Sequence, residues 1–220
     1  DVHTPLVQEE RSAGATLRII WGNQALLATY TVTLLAWLGW ISLQIYQTEF
    51  VATEVYQGSA DESSPANKAY VTGVHAASRA LILNAVLMTG TTYLIPTVLR
   101  KLGKARLWSL STGATALMLA ASILISRTHA KAASSAWLAL LGPLYGIQQT
   151  IPFLVVSEEA PKDLLGELNG FLNVALCIPQ LLVSLLGGWV VALAGTDSLL
   201  FTAGAVCDVV ATVVCLRLLV

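Results

Sequence analysis

Two carboxylates at the end of a long apolar run are the first candidates for chemistry in this chain. The run covers residues 34–46, and Glu49 and Glu54 follow it with no turn signal before Gly58. Charge close to lipid is costly, so ionisable groups at the end of a membrane span usually face a protein interior or a watery cavity. The pattern predicts a path for a solute or an ion. The alternative is a helix that leaves the membrane near Tyr46 and exposes both carboxylates to water.

The spacing of the polar residues divides them between two faces of the helix. Gln47 and Glu54 are seven residues apart, which is two helical turns, so they share a face of a continuous helix. Glu49 lies about 200° from Gln47 around the helix axis. If the helix runs unbroken to Tyr56, we expect Gln47 and Glu54 to face a central cavity and Glu49 to brace a neighbouring helix.

Two basic side chains share a face of the next apolar segment. His75 and Arg79 are four residues apart, and Arg79 lies about two turns inside the end of the segment. We expect Arg79 to form an ion pair with Glu49 or Glu54, because a lone buried charge is costly. The alternative is an arginine that extends to the lipid headgroups. His75 lies near the end of the segment, and we expect it to have no part in proton transfer.

Neutral amides occur at membrane depth on the same segments as helix-breaking prolines. Asn84 is near the middle of the second apolar segment, Gln149 shares the fourth with Pro152, and Gln180 follows Pro179 in the fifth. Amides can join helices to one another or bind the hydroxyl groups of a solute. Broken helices are typical of transporter sites, so the combination favours a polar cavity.

The sixth apolar segment carries one acid, Asp208, at its middle. It is either a functional proton site or an acid that burial keeps neutral. No other residue of that segment is an obvious partner for it.

The composition excludes several classes of protein. Hydrophobic residues make up 55% of the chain and charged residues 11%, whereas soluble domains carry about 25% charged residues. A net charge of −1 argues against a nucleic-acid partner. The sequence holds no HExxH, GxSxG or phosphate-loop motif and no paired-histidine metal spacing. We therefore expect a membrane protein that is not an enzyme and needs neither a metal nor a cofactor.

Six segments are long and apolar enough to cross a bilayer, which takes about 20 residues. All are predicted to be helices, because an open sheet cannot satisfy its backbone in lipid. The predicted spans are 26–46, 71–95, 107–126, 136–157, 168–193 and 198–218. Pro96 is expected to end the second span.

The basic residues indicate the orientation of the spans. If the spans alternate in direction, eight basic residues fall on one side of the membrane and three on the other. The larger group is Arg11, Arg18, Arg100, Lys101, Lys104, Arg106, Lys162 and Arg217, and the smaller is Lys68, Arg127 and Lys131. An excess of Lys and Arg marks the cytoplasmic side. Both termini are therefore predicted to be cytoplasmic, in a plasma or organellar membrane that the sequence does not distinguish.

Four segments together resemble the C-terminal half of the plant-type sucrose/proton symporters. This family belongs to the glycoside–pentoside–hexuronide:cation branch of the major facilitator superfamily and is related to the animal solute carrier family 45. The segments are LAWLGW with QTEFVATEVYQG (35–40 and 47–58), GVHAASRALILNAVL (73–87), GIQQTIPFLVVSEEAP (146–161) and LNGFLNVALCIPQLLVSLLGG (168–188). They are similar to helices seven, eight, ten and eleven of the family, in that order.

The resemblance implies a fold of twelve helices in two halves, with solute bound between the halves near the middle of the membrane. This chain would supply helices seven to twelve, and the N-terminal half would be a partner outside it. The chain begins at Asp1 without a signal-peptide pattern, so we expect the back part of a longer polypeptide. Residues 1–24 would end a central cytoplasmic loop and 25–220 would form the six-helix half. Residues 59–69 would be an external loop, and 97–106 a basic cytoplasmic loop.

The chain departs from the family pattern in the seventh and eighth helices. The family's seventh helix has an acid–Thr–acid stretch followed by Gly-Arg-Glu, and here Gln47 replaces the first acid while Ala52 and Thr53 replace the glycine and arginine. Neutral Gln47 cannot carry a proton. His75 replaces the family's eighth-helix arginine, and Arg79 stands where the family has an apolar residue.

These observations together predict half of a proton-coupled symporter for sucrose or a related glycoside, working by alternating access in the bilayer. The sugar would bind Gln47, Glu54, Asn84, Gln149 and Gln180. The proton and charge network would be Glu49, Glu54, Arg79 and Asp208. The alternative is a membrane sensor or scaffold that keeps the fold without transport.

Overall fold

The computed structural model describes residues 13–218, and all of the regular structure in that range is helical. Seven α-helices follow one another along the chain, and the second continues into a π-helical turn at Val51–Val55. The α-helices are α1 Ala13–Gly22, α2 Gln24–Phe50, α3 Asn67–Leu102, α4 Lys104–Thr128, α5 Lys131–Glu159, α6 Leu165–Ala194 and α7 Ser198–Leu218. Arg11, one of the residues used for the orientation, lies outside the described range.

Six of these helices, α2 to α7, are long and apolar enough to cross a membrane. This agrees with the six predicted spans, and the all-α membrane fold is confirmed. The shorter α1 lies beside the start of α2. Its Ile20 packs into a small apolar core with Leu26 of α2, Val156 of α5 and Leu168 of α6.

The helix α2 lies at the centre of the bundle. It packs against α5, α6 and α7, while α3 packs mainly against α5, and α4 against α7 and α5. In its most apolar stretch 67% of the residues of α2 are buried, against 6% in α3 and 22% in α6. The helices α3 and α6 therefore each have a broad apolar surface that residues 13–218 leave uncovered.

Glycine allows the closest helix contacts. A Cβ atom on Gly204 of α7 would lie 2.5 Å from the Cα atom of Gly39 on α2. A Cβ atom on Gly142 of α5 would lie 2.2 Å from the backbone oxygen of Asn84 on α3. Small residues at these points let the helix backbones approach, as is common in membrane bundles.

Three predicted boundaries were wrong because the helices are longer than their apolar cores. The predicted basic loop 97–106 is helical except at Gly103, whose φ of +77° allows the sharp link between α3 and α4. Pro96 lies inside α3 rather than at its end. The predicted external loop 59–69 ends earlier, because α3 begins at Asn67. Polar and basic residues extend these helices beyond the apolar segments that the sequence pattern detects.

Candidate functional site

The helix that carries the two carboxylates does not end near Tyr46 but continues to its C-cap at Tyr56. The prediction that Glu49 and Glu54 face the protein interior requires this continuation. After Phe50 it changes to a π turn, in which the Tyr56 amide donates to the Val51 carbonyl at 3.0 Å. A π turn has more residues per turn than an α-helix. Glu54 is therefore rotated away from the face of Gln47 that ideal α-helical spacing predicts.

Glu54 lies in a cluster of hydrogen-bond donors rather than in a central cavity. One carboxylate oxygen accepts from Thr196 Oγ1 at 2.7 Å and from the Asp197 amide at 2.5 Å. The other accepts from Ser126 Oγ at 2.6 Å and from Ser198 Oγ at 2.7 Å. Ser126 belongs to α4, and Ser198 is the first residue of α7. The carboxylate thus joins three helices, and we call this end of the bundle the Glu54 end.

This position gives Glu54 the role of a helix cap supplied by another helix. The first amides of a helix have no partner within it, and the positive end of the helix dipole attracts an anion. The Glu54 carboxylate meets both needs at the start of α7. Its backbone carbonyl also contacts His129 Nδ1 at 2.8 Å, at the link between α4 and α5.

Asp197 is a second acid of the same cluster and is only 4% exposed. Burial, followed by the charges of Glu54 and Glu49, raises the pKa of Asp197 from 3.8 to about 7. Two acids therefore lie together at the Glu54 end, and burial beside a carboxylate favours the protonated form of Asp197. Sequence reasoning missed Asp197, Thr196 and Ser198, although polar residues directly before an apolar run are a recognisable helix-start signal.

Glu49 contacts a neighbouring helix, in the arrangement that helical spacing predicts for it. Its carboxylate accepts from Tyr70 Oη on α3 at 2.8 Å. Gln47 is partly buried on α2. The two residues are close in sequence but face different surroundings.

The predicted ion pair between Arg79 and an acid of α2 is wrong in this structure. Arg79 and His75 are exposed on α3 and line an open cavity of about 330 Å³ with Tyr56. Across the described residues, neither Glu49 nor Glu54 forms an ion pair with Arg79. Both acids accept hydrogen bonds from neutral groups instead.

Asn84 is used in the packing of the bundle. Its side-chain amide donates to the backbone carbonyl of Leu138 on α5 at 2.6 Å. This bond lies at the close contact with Gly142. Asn84 therefore joins two helices, which is the commoner use of an amide at membrane depth.

The two adjacent glutamines of α5 lie in opposite environments. Gln148 is 1% exposed, accepts from Trp40 Nε1 at 3.1 Å and donates to Thr115 Oγ1 at 2.7 Å. Gln149 is exposed, and so is Gln180 on α6. Gln148 is thus a fully bonded core amide, whereas Gln149 and Gln180 are directed away from the core of the bundle.

Three open cavities lie on the part of the bundle that the structure describes, and their linings can be compared with the predicted sugar-binding residues. Two open cavities at the Glu54 end, of about 320 and 430 Å³, share Ser126 and Thr196. Neither of them, nor the cavity beside Arg79, is lined by Gln47, Asn84, Gln149 or Gln180. Glu54 lines the largest of the three.

At the opposite end of the bundle, polar contacts join α1 and α4 to α5 and α6. Lys104 forms an ion pair with Glu158, and Thr16 donates a short hydrogen bond to Glu167. Asn23 caps the start of α2 and donates to Glu159 at 3.2 Å. We call this the Glu158 end.

The helices and their lengths define a multi-pass integral membrane protein. The family model of the Major Facilitator Superfamily matches residues 2–184. The chain therefore belongs to the major facilitator superfamily, as the four sequence segments indicated.

The chain is also similar to sucrose transport proteins of rice. Sucrose transport protein SUT2 of Oryza sativa subsp. indica is 31% identical over 173 residues, covering 71% of this chain and 34% of that protein. Sucrose transport protein SUT1 of Oryza sativa subsp. japonica is 28% identical over 176 residues, covering 71% and 33%. Sucrose transport protein SUT5 of the indica subspecies is 26% identical over 184 residues, covering 74% and 34%. The chain spans about a third of the length of these relatives.

Proposed function

We propose that this chain is the C-terminal half of a secondary transporter that moves sucrose or a related glycoside together with protons. The observation that carries the proposal is the similarity to rice sucrose transport proteins over 71% of the chain. The order of the matching segments and the six spanning helices support the same assignment. Transport would proceed by alternating access, in which two helical halves rock around a site near mid-membrane.

The uncovered faces of α3 and α6 support a second six-helix half as the partner. Their apolar residues include Val86 and Leu94 of α3, which are 61% and 60% exposed, and Leu185 and Trp189 of α6, which are 70% and 75% exposed. Lipid covers one side of such helices, and a second half would cover the side that faces the transport path. The solute site would then lie between the halves.

Within this half, Gln149 and Gln180 are the best placed sugar ligands. Both are exposed amides, and neither side chain has a hydrogen-bond partner among residues 13–218. Gln47 is a third candidate on the central helix α2. Amides can donate and accept at once, which suits the hydroxyl groups of a sugar. Asn84 and Glu54 would act by holding helices in place, and Glu49 would contribute negative potential.

We also propose that the Glu158 end faces the cytoplasm. The cluster Arg100, Lys101, Lys104 and Arg106 lies where α3 meets α4 at that end. The Glu158 end carries more basic residues than the Glu54 end, which supports this orientation. Both chain termini would then be cytoplasmic.

Proton-driven uptake of labelled sucrose into sealed vesicles tests the proposal in the protein that contains both halves. Gln149→Leu on α5 should reduce sucrose uptake. The control Gln44→Leu replaces an exposed glutamine on α2 and should leave uptake near the wild-type value. Absence of sucrose or glycoside uptake by a correctly inserted protein would overturn the proposal.

A membrane sensor or scaffold with the same fold is the second candidate. It is favoured by Gln47, Ala52 and Thr53, which replace an acid, a glycine and an arginine of the symporter pattern. Such a protein would bind a glycoside without moving it. Binding of labelled sugar with no uptake, measured on the same vesicles, would separate this candidate from a symporter.

A further inference from the structure

The carboxyl group of Asp208, in the middle of α7, lacks a hydrogen-bond partner within the described range 13–218. The residue is 0% exposed, and both of its side-chain oxygens are buried and unbonded. Its backbone carbonyl, by contrast, accepts from Thr212 Oγ1 at 2.8 Å. An ionised carboxylate without partners in an apolar interior is strongly disfavoured, and such a group stays neutral instead. This packing therefore favours the neutral, protonated form of Asp208.

The carboxyl group lies at the closest contact between α7 and the central helix α2. Its Oδ2 atom is 3.1 Å from the point where a Cβ atom on Gly39 would lie. Gly204, one turn before Asp208, touches the same glycine, and Leu119 of α4 closes the third side. Glycine and leucine offer no side-chain hydrogen-bond donor. This contact can therefore accommodate the neutral carboxylic acid of Asp208 but not its carboxylate anion.

The charged groups on the helices around Asp208 lie far from it along the helix axes. The titratable groups on the elements around Asp208 are Tyr30, Tyr46 and Glu49 of α2, Lys104, Arg106 and Arg127 of α4, and Cys207, Cys215 and Arg217 of α7. Glu49 is ten residues beyond Gly39, which is about 15 Å along the helix. Arg127 is eight residues beyond Leu119, or about 12 Å. Cys207 is adjacent to Asp208, but a thiol supplies no positive charge. Among residues 13–218, no cation is therefore placed to stabilise the anion.

We propose that Asp208 is a proton-binding site of the α2–α7 contact, which holds its proton while Gly39 and Gly204 touch and releases it only when α7 moves away from α2. The step is a simple ionisation. The O–H bond of the carboxylic acid breaks, the proton passes to water that enters as the helices separate, and the carboxylate is hydrated.

The inference deepens the proposed function and rests on it for its physiological role. A proton symporter needs an acid that is shielded in one conformation and reached by water in another. Glu54 is a poor candidate, because its two oxygens are held by four strong donors as an anion. Gln47 cannot ionise. Asp208 is shielded from water in this structure, and it lies at the contact between α7 and the central helix α2.

Infrared difference spectroscopy tests the protonation state without any transport measurement. The purified protein in lipid nanodiscs is compared with Asp208→Asn at neutral pH. We expect a carboxylic-acid carbonyl band in the wild type that is missing from the variant and shifts in D₂O. A wild type without this band has an ionised Asp208, and the proposal is then wrong. Asp208→Ser provides the same comparison if the first variant inserts poorly.

Amide hydrogen exchange tests the link to helix packing. Because the open form would lose the proton, raising the pH should favour opening and speed exchange in residues 204–212, after correction for intrinsic rates. Asp208→Asn should remove this pH dependence. Asp197→Asn is the matched control, since it removes the other acid near α7 and should leave the dependence of residues 204–212 in place. Equal pH dependence in wild type and Asp208→Asn would overturn the proposal.

Transport then separates this inference from the proposed function. Asp208→Asn should retain exchange of labelled sugar between the two sides but lose proton-driven accumulation. Accumulation with wild-type proton uptake in that variant would contradict the proposal. If the wild type itself moves no sugar, the proposed function fails, and the infrared and exchange results alone decide the proton site.

Discussion

The clearest test of the structure is the replacement of Glu54 by glutamine. Four donors converge on this carboxylate, at 2.5 to 2.7 Å. Glutamine keeps the shape, and its amide can still bond to the two serine hydroxyls, which accept as well as donate. What it removes is the negative charge at the start of α7.

The size of the effect follows from the difference between charged and neutral hydrogen bonds. A bond to a charged group contributes about 1.5–3 kcal/mol and a neutral one about 0.5–1.5, so four bonds lose roughly 4 kcal/mol in all. Relief of the repulsion with Asp197 offsets about 1–2 kcal/mol of that loss. We expect a net loss of about 2–3 kcal/mol in the free energy that keeps the Glu54 end closed.

Amide hydrogen exchange by mass spectrometry measures this opening directly. A loss of 2–3 kcal/mol corresponds to exchange that is roughly 30- to 150-fold faster, and it should be confined to residues 195–202. Glu49→Gln is the matched control on the same helix. It retains an acceptor for its single partner Tyr70, so the exchange of residues 195–202 should change by less than about threefold.

The reasoning would be refuted if Glu54→Gln changed that exchange by less than about threefold. Exchange that rises equally throughout the bundle would also count against it, because the hydrogen bonds join only the ends of α2, α4 and α7. Either result would mean that the four contacts contribute little to the closed state.

Three further predictions concern pH, packing and the glutamine pair. Because the pKa of Asp197 is raised from 3.8 to about 7, the closed end holds a proton that the open end releases. The stability of the closed end should therefore fall by about 2–3 kcal/mol from about pH 5 to 8 and stay level above that, and Asp197→Asn should abolish this change in hydrogen exchange. Gly142→Ala places a methyl group 2.2 Å from a backbone oxygen of α3, should lower the free energy of unfolding by about 1–3 kcal/mol and should lower the melting temperature. The control Gly90→Ala has nothing within 4 Å of the added methyl group and should be neutral or slightly stabilising. Equal melting temperatures for the two variants would contradict this prediction. Gln148→Leu leaves the buried Trp40 Nε1 donor without its acceptor and should cost about 1–3 kcal/mol. Gln149→Leu should keep the wild-type melting temperature and reduce only sugar uptake; the opposite ranking would reverse the two assignments.

Much of the architecture was readable from the sequence, because crossing a bilayer imposes length and apolarity on each helix. Six spans were predicted and six helices of spanning length are present. The lack of a turn signal before Gly58 allowed the first helix to continue beyond Tyr46, but the sequence left that continuation as one of two alternatives, and the structure shows it. The resemblance of four segments identified the superfamily that the family comparison then showed.

The partners of the polar side chains were decided by the tertiary structure. Gln148 and Gln149 are neighbours of the same type in the sequence, yet one is 1% exposed with three polar contacts and the other is exposed. Glu54 was expected beside Gln47 and instead caps α7, because a π turn shifts its direction. Sequence spacing fixes a residue's angle around an ideal helix, but the choice of partner depends on local helix geometry and on how each helix is rotated against its neighbours.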